Sequence, residues 1–169
     1  MIEQLPASAT KIIFATLLAG AVFFLLPYLT STTAPDSTFT TITGKRISLS
    51  QLRGKPVLVT FWATDCPSCL EEIPHLIDIY QHFHPLGLEI IAVAMIYDPP
   101  SRVVAMTQAM QIPYDVVLDL KSDHALAFGQ VQLTPSTFLI SPDGSIAMKT
   151  VGLIKPEAIS TQLNSLLKG

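Results

Sequence analysis

Residues 57–69 carry the strongest structural signal in the sequence, and they read Val57-Leu58-Val59-Thr60-Phe61-Trp62-Ala63-Thr64-Asp65-Cys66-Pro67-Ser68-Cys69. The β-branched and aromatic run up to Trp62 predicts a buried strand. Apolar residues with helical spacing follow the second cysteine, at Leu70, Ile73, Leu76, Ile77, Tyr80 and Phe83. Because proline is favoured in the first helical turn, Pro67 indicates where this helix begins.

The two cysteines are thus predicted to lie where a strand is followed by the start of a helix. Such a start offers unpaired backbone N–H groups and the positive end of the helix dipole. Both favour the thiolate form of Cys66, and the thiolate is the nucleophile of disulfide exchange. A spacing of three residues keeps Cys69 on the same face, close enough to attack a mixed disulfide formed at Cys66. The motif therefore predicts a redox-active dithiol.

The composition indicates one small domain with a hydrophobic appendage. The chain has 169 residues and a net charge of −3, and its mean hydropathy is +0.47. Lys and Arg are not in excess, so nothing predicts a nucleic-acid partner. The chain has two cysteines, both in the motif, which leaves none for a structural disulfide framework. Cysteine usage alone does not fix the cellular compartment.

The amino-terminal region predicts membrane targeting. Residues 1–10 form a short stub, expected to be cytoplasmic. Residues 11–29, apolar from Ile12 to Leu26 except for Thr16, are long enough to span a bilayer. An uncleaved anchor is favoured over a cleaved signal peptide, because Pro35 directly follows the best cleavage position and no other A-x-A-like site appears. Either segment would export the rest of the chain.

The remaining residues predict a polar linker and one α/β domain. Residues 30–37 are polar and contain a proline, which predicts a linker with nothing to pack against. The domain, 38–169, opens with a β-hairpin joined across Gly44-Lys45. It continues with a long buried strand over 88–97, further alternating strands and helices, a hairpin across Pro142-Asp143-Gly144 and a closing helix. A short helix after Ser122 is expected to use that serine as its cap.

These elements resemble a known family. The strand, the Trp62-Ala63-x-x-Cys66-Pro67-Ser68-Cys69 motif, the helix, and Thr134-Pro135 before a hairpin are similar to the thioredoxin fold. The extra amino-terminal hairpin, the Pro-Asp-Gly turn and the hydrophobic leader resemble the TlpA/ResA-type membrane-anchored disulfide reductases. The resemblance covers about residues 38–168. It implies a central mixed sheet flanked by helices, with the hairpin extension and a single amino-terminal transmembrane helix.

The resemblance also implies roles for individual residues. Cys66 would be the exposed attacking cysteine and Cys69 the resolving one, supported by Trp62, Pro67 and Ser68. The Thr134-Pro135 peptide bond would be cis, packed beside the disulfide, with its backbone available to pair with a substrate chain. No cofactor is expected besides the Cys66–Cys69 disulfide itself.

Two positions depart from the family pattern. Thioredoxins carry a buried acidic residue where this strand has Thr60, so that proton acceptor is missing. Many TlpA/ResA-type relatives have a glutamate at the end of the long central strand, where this chain has Tyr97 followed by Asp98. Asp98 is a candidate base for the deprotonation of Cys69, and its alternative role is to open the Pro-Pro turn.

The leading functional hypothesis is a thiol–disulfide oxidoreductase in the bacterial inner membrane, with its catalytic domain in the periplasm. Asp65, Glu71 and Glu72 place negative charge near the dithiol, which disfavours the thiolate and predicts a reductase rather than an oxidant. The resemblance suggests apocytochrome c, a copper-site protein of a terminal oxidase or a disulfide isomerase as substrate. A membrane thiol reductant would recharge the pair.

Two other functions would also use a reactive cysteine. A copper metallochaperone would bind the ion with both thiolates and a histidine such as His124, but nothing in the sequence places a histidine near the pair. A peroxidase of the peroxiredoxin type would need threonine three residues before its cysteine, where this chain has Ala63.

Trp62 is expected to shield the dithiol rather than serve only as core filler. His75, His82 and His84 are expected to be surface residues rather than metal ligands.

Overall fold

The structure, a computed structural model, describes residues 33–168. The predicted stub and the predicted anchor or signal lie outside the described residues. Within 33–168, no helix is long and apolar enough to cross a membrane.

A five-stranded mixed sheet forms the centre of the domain. Its strands are β3 (Val57–Trp62), β4 (Glu89–Ala94), β5 (Asp115–Leu118), β6 (Ser136–Ile140) and β7 (Ile146–Val151). They lie in the order β5-β4-β3-β6-β7, with β3, β4 and β5 parallel and β6 and β7 antiparallel to their neighbours. A separate antiparallel hairpin of β1 (Thr38–Thr40) and β2 (Arg46–Ser48) precedes it, as predicted.

Within residues 33–168, four α-helices accompany the sheet: α1 (Pro67–Phe83), α2 (Pro100–Ala109), α3 (Asp123–Ala127) and α4 (Pro156–Leu166). Apolar residues of α1, α2 and α4 pack on one face of the sheet. The hairpin and α3 cover the other face, where Phe39, Phe61, Phe128 and Phe138 form the centre of a second cluster. Both faces of the sheet are thus covered, as parallel strands require. This is the predicted thioredoxin-like arrangement.

The register of the parallel strands places the reactive segment. Trp62, the last residue of β3, is paired with Ala94 at the end of β4, and Ala94 is paired with Leu118 at the end of β5. The loops that follow these three strands therefore emerge at the same end of the sheet. β6 runs antiparallel, so the segment that enters it, which includes Thr134 and Pro135, lies at that end as well.

The predicted linker differs from the structure over its last five residues. Thr33 forms an isolated β-bridge with Ser145. The Ala34 N–H donates to the Gly144 carbonyl at 2.9 Å, and the Ala34 side chain is buried in the second cluster. The prediction of a segment with nothing to pack against is wrong here, because a polar composition does not exclude edge pairing through the backbone.

The predicted cap of α3 is also wrong. Ser122 adopts a left-handed conformation with φ of 60°, and its side chain makes no capping hydrogen bond. Instead the buried Asp119 carboxylate accepts the N–H groups of His124 at 3.2 Å and Ala125 at 2.8 Å. A carboxylate satisfies these unpaired N–H groups better than a hydroxyl, because the bond is charge-assisted.

Candidate active site

The cysteine pair lies at the junction of β3 and α1, as the sequence predicts. Cys66 is the residue before the first turn of α1, and Pro67 is the first helical residue. The two cysteines are joined in a disulfide, with their Cα atoms 5.2 Å apart. The Cys69 N–H donates to the Cys66 Sγ at 3.2 Å, so one of the unpaired N–H groups of the helix start points at this sulfur. That geometry stabilises negative charge on Cys66 once the disulfide is reduced.

The two sulfur-bearing residues differ in their access to solvent. Cys69 is 1% exposed and belongs to the core cluster between α1 and the sheet. Cys66 is partly exposed, and the Ser68 hydroxyl lies 3.5 Å from its Sγ. A macromolecular disulfide can therefore reach Cys66 and not Cys69. This asymmetry agrees with the roles that the resemblance implies.

The segment before β6 lies against the exposed sulfur. The Thr134-Pro135 peptide bond is cis, as the resemblance implies. The Thr134 carbonyl oxygen lies 3.6 Å from the Cys66 Sγ. On its other side, the Pro135 carbonyl accepts the Gly152 N–H at 2.8 Å, which fixes the segment to the loop after β7. Five of the predicted site residues are thus brought together: Cys66, Cys69, Ser68, Thr134 and Pro135.

Trp62 ends β3 beneath this site. It is 3% exposed and packs in the same apolar cluster as Cys69, so it is more buried than its expected shielding role assumes. Its indole N–H has no hydrogen-bond partner in the part of the chain that the structure describes. Shielding of the dithiol by Trp62 stays a prediction.

The structure gives Asp98 a different contact from the one predicted for a base. The side chain is buried, and both of its oxygens accept from Thr64. The Thr64 backbone N–H donates to Oδ2 at 2.6 Å, and the Thr64 hydroxyl donates to Oδ1 at 2.7 Å. Asp98 thus tethers the loop after β4 to the loop that carries Cys66, and its role as base for Cys69 stays a prediction.

Glu72 is the buried acid that the sequence analysis missed. The sequence predicts only that its charge lies near the dithiol, whereas the side chain is 1% exposed. Its Oε1 accepts the Ile154 N–H at 2.9 Å, and the Thr60 hydroxyl lies close enough to lower the pKa of the carboxyl. Thr60 in turn lies 2.9 Å from the Thr137 hydroxyl. The signal was available in the sequence, because Glu72 is three residues after Cys69 and so shares its helix face.

Burial raises the pKa of the Glu72 carboxyl, and the hydrogen bonds from Ile154 and Thr60 offset only part of that rise. Burial in an apolar environment disfavours the charged form of a carboxyl group. Thr60 occupies the position of the acidic residue of thioredoxins. The carboxyl group missing from β3 is thus supplied by α1, near Thr60.

We expect the Glu72→Gln variant to be more stable than the parent at pH 8 and to lose much of the parent's pH dependence. Because the folded-state pKa is raised, the stabilisation is complete below the unfolded value of 4.5 and is lost as the pH rises through the folded-state pKa. Glutamine keeps an acceptor for the Ile154 N–H and carries no charge. Urea titrations at pH 4, 6 and 8 measure the free energy of unfolding. If the free energy of unfolding changed with pH equally in both proteins, the raised pKa assigned to Glu72 would be contradicted.

The histidines do not assemble a metal site with the cysteines. His124 lies on α3, with its ring centroid 4.5 Å from that of Phe39. His75 and His82 lie on α1, and the His84 Nδ1–H donates to the Leu88 carbonyl at 2.9 Å. No group of three or more His, Cys, Asp or Glu side chains within 33–168 is arranged to hold a metal ion. The copper metallochaperone hypothesis gains no third ligand from the described residues.

Comparisons with known proteins agree with this site. The AhpC/TSA family matches residues 30–149. The thiol-disulfide oxidoreductase ResA of Bacillus subtilis is 33% identical over 136 residues, which are 80% of this chain and 75% of the relative. ResA of Bacillus thuringiensis subsp. konkukian is 30% identical and aligns with 94% of this chain and 93% of its own length.

Solved structures show the same fold. A crystal structure of a thiol:disulfide interchange protein of the thioredoxin family from Chlorobium tepidum matches with a TM-score of 0.74 and 25% identity, covering 82% of this chain and 97% of that one. StoA of Bacillus subtilis, at 23% identity and a TM-score of 0.64, shares the fold over 76% of this chain and 97% of its own. With the cysteine pair in place, these matches establish that the chain belongs to the AhpC/TSA family and is a thiol-disulfide oxidoreductase of the TlpA/ResA type.

Proposed function

We propose that this protein is a reductase of protein disulfides that faces the periplasm. The observation that carries the proposal is the disulfide at the start of α1, in which Cys66 is accessible and Cys69 is buried. An accessible attacking sulfur and a protected resolving sulfur are what a dithiol reductase requires. Asp65 and Glu71 are exposed near the pair, so they favour a reducing couple only weakly.

The reaction begins from the dithiol form. The Cys66 thiolate attacks one sulfur of the substrate disulfide, a Cys66–substrate bond forms, and the other substrate sulfur leaves as a thiolate and takes up a proton. The Cys69 thiolate then attacks the Cys66 sulfur, which releases the second substrate thiolate and leaves the Cys66–Cys69 disulfide. The substrate gains two electrons and two protons, and the enzyme loses the same two electrons and two protons.

Glu72 supports the second step in this proposal. Cys69 is buried as a neutral thiol and must lose its proton before it can attack. Glu72 follows it by one helical turn on the buried face, with a pKa that burial raises. A carboxyl group whose pKa lies nearer to neutrality is a better proton acceptor for a thiol than an ordinary one. We therefore assign proton acceptance to Glu72 and positioning to Asp98.

The cellular setting is part of the proposal and rests on the sequence. The apolar residues 11–29 would anchor the protein in the bacterial inner membrane, and a membrane thiol reductant would regenerate the dithiol. The family resemblance suggests substrates in cytochrome c maturation or in the reduction of copper-site thiols. Labelling of intact cells with a membrane-impermeant maleimide tests the location: modification of Cys66 supports a periplasmic domain, and labelling only after lysis contradicts it.

A redox titration tests the function itself. The full chain is equilibrated with glutathione and dithiothreitol buffers, alkylated with iodoacetamide and weighed by mass spectrometry. We expect one reversible two-electron couple, with a midpoint closer to roughly −270 mV than to the −120 mV of strong oxidants. The absence of a reversible couple would contradict the function. A midpoint near −120 mV would contradict the direction.

A further inference from the structure

We propose that Tyr97 determines substrate specificity, by selecting polypeptide disulfides that carry an apolar side chain next to the reacting cysteine. The inference rests on the proposed function, and it adds the class of substrate that the site prefers. It comes from the position of one exposed aromatic ring relative to the reactive sulfur.

In space, one residue, Thr134, lies between Tyr97 and the Cys66 sulfur. Its hydroxyl is 3.5 Å from the Thr134 Oγ1, and the Thr134 carbonyl oxygen is 3.6 Å from the Cys66 Sγ. The ring is nevertheless 54% exposed. A substrate chain that places a sulfur on Cys66 must therefore pass close to this ring.

The backbone that carries Tyr97 is held on both sides. Asp98, the next residue, is buried and accepts two hydrogen bonds from Thr64. Two residues earlier, the Met95 N–H donates to the Trp62 carbonyl at 3.0 Å. Because the backbone on either side of Tyr97 is fixed, little backbone entropy is lost when a ligand contacts the ring.

The surroundings of Tyr97 favour an uncharged side chain. Ile96 is 50% exposed, and Leu133, which directly precedes Thr134, is 66% exposed. Both belong to the loops at the reactive end of the sheet, the first after β4 and the second before β6. A substrate leucine or phenylalanine would bury apolar area against these side chains, whereas a carboxylate would lose water without gaining a partner. Because Leu133 directly precedes Thr134, whose carbonyl oxygen lies 3.6 Å from the Cys66 Sγ, we assign the substrate segment that flanks the disulfide to this surface.

Two disulfide-bridged peptides, identical except for leucine or glutamate after the reacting cysteine, test the proposal with the full chain. We expect the parent to prefer the leucine peptide about tenfold in kcat/KM, the ratio that roughly one buried apolar side chain supplies. Tyr97→Ala should reduce the preference to about twofold, and the reduction should appear in the KM for the leucine peptide rather than in kcat. Tyr97→Phe should keep it, because the ring remains. Leu86→Ala is the matched control, since Leu86 is 58% exposed before β4, at the opposite end of the sheet.

The outcomes separate this inference from the proposed function. An unchanged tenfold preference in Tyr97→Ala, no preference in the parent, or loss of the preference in Tyr97→Phe or Leu86→Ala would each overturn the role of the ring. Failure of the parent to reduce hydroxyethyl disulfide would instead contradict the reductase function. Reduction of that small disulfide together with the expected preferences supports both.

Discussion

The Cys66→Ser variant is expected to lose at least about a thousandfold in kcat/KM for the reduction of insulin disulfides. A serine hydroxyl at neutral pH is not ionised, so it cannot replace the thiolate that attacks the substrate sulfur. Cys69 cannot take over, because it is 1% exposed and lies in the core below the site. The substitution removes no large side chain, so the fold should be kept.

Thermal unfolding under reducing conditions provides the control for this variant. The melting temperature of Cys66→Ser should stay close to that of the reduced parent, which shows that the loss is chemical. Retention of more than a tenth of the parent's kcat/KM would mean that another group attacks the substrate.

The second large effect is expected at Asp98. Asp98→Ala should lower the free energy of unfolding by about 3 kcal/mol, because the buried Thr64 N–H and hydroxyl lose a charged acceptor. The same change should slow disulfide reduction, since Thr64 lies two residues before Cys66 and is no longer held. Guanidinium titration measures the first effect, and insulin reduction measures the second.

Two further variants isolate the contribution of the tether. Thr64→Val removes only the hydroxyl and should cost about 1–2 kcal/mol, and the double variant should show coupling between the two positions. Asp78→Ala, an exposed aspartate on α1, is the matched control and should stay within about 0.5 kcal/mol of the parent. If Asp98→Ala lowered the free energy of unfolding no more than Asp78→Ala does, the tether would be refuted.

Local signals were enough to predict the reactive segment. The run Val57–Trp62 and the proline after Cys66 fix the strand and the helix start within a few residues of one another, so no long-range contact was needed to place the cysteines. Helical spacing and turn residues likewise predicted the hairpins and the closing helix, because each depends on the chemistry of neighbouring residues.

Contacts between distant segments explain what the sequence did not reveal. The sequence does not indicate the burial of Glu72, because acidic residues are seldom buried and its partner Ile154 is 82 residues away. The sequence makes Asp98 a candidate base or the residue that opens the Pro-Pro turn, whereas its hydrogen bonds to Thr64 span 34 residues. Both acids are explained by partners that the fold brings together.

Trapping of the intermediate tests the central claim most directly. The Cys69→Ala and Cys66→Ala variants are reduced, mixed with the disulfide-bridged leucine peptide, quenched with acid and weighed intact. The account predicts a mixed disulfide at Cys66 in Cys69→Ala, heavier by one peptide, and none in Cys66→Ala. An adduct that accumulates on Cys69 of the Cys66→Ala variant, or on neither variant, would contradict it.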